Sequence, residues 1–423
     1  MNNVILRAET QYGISDESLR ACLESSVDSA SLKKVLLIPP DITRMHSGAG
    51  KITAMYYDML KHCQIDILPA LGTHDPMTPQ ECREFFGEDI PFSSVIPHDW
   101  RNDIIKIGEV PGEYVAEVSE GLIDTPIAVE LNKRLLDSSY DLIISIGQVV
   151  PHEVVGMANY TKNLLVGCGG SAMINASHML GAVYGMERIM GRDFSPVRKV
   201  FDYAEQHFLR QIPLFYVLTV TTQLDDGIAI HGLFIGRERR LFEQAVALSQ
   251  QKNLTYVDSS LRRVVVNLDA NEFKSTWLGN KAIYRTRMAM ADGGNLIILA
   301  PGVKKFGEDM QNDALIRRYG YIGRDKVLQM CQENKELQDN LSVAAHLIHG
   351  SSDGRFSITY AAAGLTKEEV ESVGFEYMPY QEAAAIYNPS SLANGFNTVN
   401  GEEIFYIENP ALGLWADKNK FGR

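Results

Sequence analysis

Short apolar runs rich in β-branched residues alternate along this chain with longer stretches whose apolar positions recur at helical spacing. That alternation predicts an α/β protein built on largely parallel sheets. Residues 34–39 (Lys-Val-Leu-Leu-Ile-Pro) read as a buried strand, 50–62 as an amphipathic helix and 65–71 as the next strand. Residues 141–147 are apolar on both faces, as a central parallel strand should be. A second α/β pattern starts near Arg262: 264–268 read as a strand, 276–291 as a helix, Asp292-Gly-Gly294 as its stop and 296–300 as another strand.

No internal repeat or long Pro/Gly/Ser linker interrupts these patterns. A chain of 423 residues is too long for one ordinary core, so two α/β domains are expected. The pattern places them at 1–260 and 261–401, with the tail from about 402 to 423 able to pack back on the first. The active site is expected in the cleft between them.

Each of the three strands in the first half runs directly into a polar motif. Asp41-Ile-Thr-Arg44 follows the first, Gly72-Thr-His74 the second and Pro151-His152 the third. Ligands in open α/β sheets bind outside the carboxyl ends of the strands, so these side chains should share one rim of one sheet. The residue types suit chemistry there: histidine titrates near neutrality and ligates metals, lysine bonds covalently to cofactors, and arginine clamps carboxylates through two hydrogen bonds. Gly167-Cys-Gly-Gly-Ser171 leads toward a helix carrying His178, and its Gly169 and Gly170 are candidates to present N–H groups to a phosphate. Cys168 reads as a small core residue rather than a nucleophile.

Composition narrows the partners. The formal net charge is −13 and no basic run occurs, which argues against a nucleic-acid partner and suits a protein that meets small molecules. The first residues lack the basic start and apolar stretch of a signal peptide, and no run of about 18 apolar residues occurs, so neither secretion nor membrane spanning is expected. Five cysteines with no C-x-x-C pair fit a reducing cytoplasm.

The order and spacing of these motifs resemble the lactate racemase family of nickel-pincer nucleotide enzymes. The family pattern is a D-x-T-R loop, a G-T-H segment, then P-H followed by a lysine ten residues on and a histidine sixteen beyond that. Here these are Asp41 to Arg44, Gly72 to His74, His152, Lys162 and His178. The resemblance implies a racemase or epimerase inverting C2 of a 2-hydroxy carboxylic acid by hydride transfer. It also implies the cofactor, pyridinium-3-thioamide-5-thiocarboxylic acid mononucleotide with Ni(II), and the cofactor-synthesis enzymes as partners. Lys162 would then carry the cofactor as a thioamide, and His178 would complete square-planar nickel. His74 and His152 would serve as bases, one for each enantiomer. Arg44 would grip the substrate carboxylate, while Asp41, with Thr43, would orient that arginine or bond the cofactor. Lys281, twelve residues before Gly293, falls at the family's substrate-binding lysine.

The chain departs from lactate racemase in two places. Trp277-Leu-Gly-Asn280 lacks a Tyr-Gln pair, and Asn159-Tyr-Thr-Lys-Asn163 is less glycine-rich than the family stretch. With Lys281, Tyr284, Arg285 and Arg287 nearby, the expected substrate is larger or more polar than lactate, for example a sugar acid. Two other readings remain open: a zinc hydrolase or lyase ligated by His74, His152 and His178, and a non-catalytic binder of nucleotide or hydroxy acid.

Overall fold

The computed structural model describes residues 2–224, 227–411 and 413–421. The chain divides into two compact units. One gathers the residues up to Leu180 together with Ile189–Asn253, and the other gathers Gly181–Arg188 and the residues from Leu254 on.

The first unit is built on a six-stranded sheet. Its strands are β1 (Val4–Arg7), β2 (Lys34–Ile38), β3 (Gln64–Ile67), β4 (Leu142–Gln148), β5 (Leu214–Leu224) and β6 (Gly227–Gly236), in the order β1-β6-β5-β4-β2-β3. The four strands from β5 to β3 run parallel, and β6 and β1 add an antiparallel edge. Period-two side-chain alternation explains the unbroken apolar runs. Val35 and Leu37 of β2 enter the core on one face, and Leu36 and Ile38 enter the core on the other. All four are fully buried, each contributing about 1.5–3 kcal/mol of transfer free energy. The parallel strands point their carboxyl ends the same way, so the loops after β2, β3 and β4 leave one edge, as their sequences predict.

The second unit carries another six-stranded sheet. Its strands are β7 (Leu261–Asn267), β8 (Met290–Ala300), β9 (Phe356–Ala362), β10 (Glu376–Tyr377), β11 (Gly395–Val399) and β12 (Glu402–Ile407), in the order β10-β9-β8-β7-β12-β11. All neighbours pair parallel except β11 with β12.

Two expectations are corrected here. The single helix expected over 276–291 is two short ones, Thr276–Gly279 and Lys281–Thr286, and Asp292-Gly-Gly294 lies inside β8. There the ladder with β7 slips between Leu261 and Arg263, and Gly293 sits at φ +73°, so the glycines make a bulge rather than a helix stop. Glu402–Ile407 buries Ile404 to Ile407 beside β7, and Leu414–Asp417 pairs with Leu254–Val257, so both strands belong to the second unit.

Candidate active site

The D-x-T-R loop is a short turn that begins with Asp41 as its cap. Asp41 Oδ1 accepts the backbone N–H of Thr43 at 3.0 Å and also the Thr43 hydroxyl. Its other oxygen accepts Nδ1–H of His74 at 2.5 Å. Burial pushes the Asp41 carboxyl up, but the His74 bond, the charges of His74 and Arg44 and the Thr43 hydroxyl outweigh it and hold the group at about 2. The aspartate therefore orients the histidine rather than the arginine, a role that sequence alone did not assign. Arg44 makes two long contacts of 3.4 Å to Thr43 Oγ1 and Thr43 O, and among the described residues its guanidinium meets no carboxylate. Gly72 makes the turn into His74 at φ +59°, with its N–H on Gly167 O at 2.9 Å.

His152 follows β4 in a tight hairpin in which Pro151–His152 pairs with Gly156–Met157. The ring is 8% exposed, and its Nδ1 accepts the backbone N–H of Val154 at 3.1 Å. An amide N–H can only donate, so this nitrogen holds a lone pair and the neutral ring carries its proton on Nε2. Burial, with the charges of Lys162, Arg44 and His178, drives the His152 pKa well below its usual value, opposed by Glu153. His178 has the opposite polarity. Its Nδ1 faces Ile174 O at 2.6 Å, and a carbonyl can only accept, so the proton is on Nδ1 and the lone pair on Nε2. Burial lowers its pKa too, against the pull of the Ile174 carbonyl.

Lys162 lies in the short helix Thr161–Leu165. Burial first, then the charges of Arg44 and Arg198, push its amine down to about 8 against Glu153 and Asp41. The residues before it take left-handed backbone, Asn159 at φ +65° and Tyr160 at φ +57°. Side chains there are strained where glycine would be at ease, which is why the stretch read as a departure. Arg198 supports it, donating to Met157 O at 2.7 Å, Asn159 O at 3.2 Å and Thr161 Oγ1 at 2.6 Å. Tyr160 stacks on Phe242 and donates to Arg237 O at 3.1 Å.

The structure thus brings Asp41, Thr43, Arg44, His74, His152, Lys162 and His178 into one electrostatically connected cluster on the predicted rim. Sequence reasoning missed Glu153, Arg198 and Asn163. Glu153 acts on His152, Lys162 and His178, and its place directly after His152 was the available signal. Asn163 ties the lysine helix to the sheet, donating to Ile38 O at 3.1 Å and Ser145 Oγ at 3.0 Å. Nothing local marked Arg198, 36 residues downstream of Lys162.

The glycine turn is closely packed. A Cβ on Gly169 would lie 1.9 Å from Leu165 O, and one on Gly170 would lie 2.2 Å from Glu130 Oε2. That Glu130 oxygen accepts the N–H of Ala172 at 3.1 Å, placing a carboxylate of the chain at the start of helix Ser171–Tyr184. His98 braces the turn through Nε2 to Gly169 O at 3.0 Å. Cys168 is fully buried and its thiol is pushed up by burial, the inert state expected of it.

Lys281 belongs to the second unit, where its ammonium lies 3.8 Å from Glu272 and 5.4 Å from the centre of the Phe273 ring. Tyr284, Arg285 and Arg287 are buried in that unit. Tyr284 bonds His346 at 2.8 Å, and Arg287 bridges Glu187 and Asp353. Among the described residues no three His, Cys, Asp or Glu side chains converge to hold a metal ion. With Nδ1 of His152 committed to a backbone N–H, the three-histidine zinc reading lacks its ligand set.

Comparison with known proteins agrees with the motifs. Residues 8–189 match the model of the lactate racemase N-terminal domain. A curated lactate racemase from Thermoanaerobacterium thermosaccharolyticum is 25% identical over 283 residues, 63% of this chain. The N-terminal part of the chain is thus similar to the lactate racemase family. The alignment spans about three-fifths (60%) of that relative's length. A solved protein from Thermotoga maritima superposes with a TM-score of 0.82 at 25% identity, covering 98% of this chain and all of its own. The lactate racemase apoprotein from T. thermosaccharolyticum gives 0.68 at 18% identity over 98% of this chain and all of its own, and shares the fold. No helix among the described residues is long and apolar enough to cross a membrane.

Proposed function

We propose that this chain is a member of the lactate racemase family and acts as a racemase or epimerase that inverts C2 of a 2-hydroxy carboxylic acid with a nickel-pincer nucleotide bound to the first unit. One observation carries the reading: the motif residues converge on one sheet edge with their ring nitrogens already polarised. His178 fits a nickel ligand, because its Nδ1–H is spent on Ile174 O and the Nε2 lone pair is left available. Lys162 fits an attachment point, because an amine held at about 8 has a far larger neutral, nucleophilic fraction near physiological pH than an ordinary lysine. When bound, the cofactor would supply an acceptor for hydride from C2.

The chain's own residues supply the rest. Arg44, with no carboxylate partner among the described residues, receives the substrate carboxylate. His74 and His152 attend the C2 hydroxyl, and Asp41 and Thr43 hold His74 in place. The test is to load the protein using cofactor-synthesis enzymes and screen chiral 2-hydroxy acids, sugar acids included, with substrate deuterated at C2. Racemisation with little solvent hydrogen entering C2 at early turnover is expected. Rapid wash-in of solvent hydrogen at C2 would replace this reading with proton abstraction from carbon.

A further inference from the structure

The histidine assigned to nickel takes its direction from a main-chain carbonyl, and that carbonyl is held in place from another element. His178 donates Nδ1–H to Ile174 O at 2.6 Å. Ile174 lies in the first turn of helix Ser171–Tyr184, its own N–H on Gly170 O at 3.1 Å. The first backbone N–H groups of a helix have no partner within it, so this turn depends on what meets it from outside. Here Glu130 Oε2 accepts the N–H of Ala172 at 3.1 Å, and a carboxylate is the favoured group at that end. Glu130 belongs to the strand Ile127–Asn132, which grips the preceding turn as well. The Asn132 N–H donates to Cys168 O at 2.8 Å, and Leu131 bridges to Gly169. His98 accepts the Asn132 side-chain amide on Nδ1 at 3.0 Å and donates Nε2–H to Gly169 O at 3.0 Å. The lysine end of the connection is held separately, by Asn163 on Ile38 O and Ser145 Oγ and by Arg198 on Thr161 Oγ1.

We propose that Glu130 is a positioning residue for the nickel site: by fixing the first turn of the helix it fixes the Ile174 carbonyl, and through it the direction of His178 Nε2. This rests on the nickel-pincer reading. Glu130 itself acts only through the Ala172 N–H and the packing of Gly170, where a Cβ would lie 2.2 Å from its Oε2 and 2.9 Å from its Cβ. Loss of that carboxylate should therefore be felt at the histidine and spare the lysine, whose helix has its own supports. Groups that orient a metal ligand from behind typically change metal affinity by about 10–100-fold when removed.

Glu130→Ala removes the acceptor, and Glu130→Gln keeps one of the same length. In protein loaded with cofactor, release of nickel to a chelator should be about tenfold or more faster in Glu130→Ala and restored in Glu130→Gln to within about threefold of wild type. Peptide mass should find the adduct on Lys162 undiminished in both. In protein without cofactor, hydrogen–deuterium exchange over residues 170–178 should be faster in Glu130→Ala and normal in Glu130→Gln. Thr366→Ala, which uncaps helix Lys367–Ser372, controls for a general loss of stability and should release nickel as the wild type does. Wild-type nickel release or wild-type exchange in Glu130→Ala would overturn the proposal, as would equal acceleration in Thr366→Ala or failure of Glu130→Gln to restore either readout. A wild type that takes up neither cofactor nor nickel would bring down the functional reading and this role with it, whereas the exchange result in Glu130→Ala bears on this role alone.

Discussion

Arg198→Met tests whether a buried guanidinium holds the lysine turn in shape. Arg198 is fully buried and donates to three acceptors, Thr161 Oγ1, Met157 O and Asn159 O, at 2.6–3.2 Å. Methionine fills much of the volume but donates nothing. Thr161 Oγ1 and Met157 O left unpaired away from water cost roughly 1–3 kcal/mol each, and Asn159 O, which keeps the Lys162 N–H at 3.3 Å, loses about 1 kcal/mol more, together about 3–7 kcal/mol. Removing the cation also relieves its own burial, which outweighs nearby Asp202 and presses its pKa from 12.5 to about 10, worth roughly 3 kcal/mol. The net loss should be about 2 kcal/mol, read as a lower midpoint in urea unfolding. A second readout is specific to the site. The charge of Arg198 helps lower Lys162, so the pH midpoint for acetylation of Lys162, followed by peptide mass, should rise in the variant from its wild-type value of about 8. Stability changed by less than about 1 kcal/mol, together with an unmoved acetylation midpoint, would refute the supporting role.

Three shorter predictions follow from the same geometry. Lys162→Ala should abolish covalent loading, and peptide mass spectrometry finding the adduct undiminished or on another lysine would refute the assignment. His178→Ala should lower bound nickel by metal analysis while His74→Ala leaves it in place; equal nickel in all three proteins would remove His178 as ligand. Asp41 is held at about 2 against an ordinary 3.8, so its contribution to stability is complete above pH 4 and lost as pH falls toward 2. It amounts to roughly 2 kcal/mol, and an Asp41→Asn variant should show a correspondingly shallower acid slope in that window.

The parts of the fold that were legible in the sequence are those in which one local pattern has one outcome. Residues 35–38 are apolar throughout, and 142–148 are apolar on both faces apart from the buried Ser145 and Gln148, a pattern that suits a strand buried on both faces. The strand-end rule then carried Asp41, His74 and His152 to a common edge. Residues 276–294 were misread because periodicity cannot see a ladder. The N–H of Leu261 pairs with Ala289 O at 2.7 Å, drawing into strand a stretch that reads as helix. The crowding of Gly169 and Gly170 by Glu130 and Leu165 was out of reach because it is a tertiary fact. Ring polarity was also out of reach, since it depends on where the Val154 N–H and the Ile174 carbonyl point.

For anyone redesigning this site, its three histidines differ in what a mutation can reach. His74 takes its polarity from a side chain, so replacing Asp41 retunes it. His152 and His178 take theirs from main-chain groups that every amino acid except proline, at the donor, would supply unchanged. Libraries of neighbouring side chains will therefore vary the acid–base strength of one ring and leave the proton positions of the other two alone. Only a change in backbone path, through the 151–157 hairpin or the first turns of helix Ser171–Tyr184, would alter them.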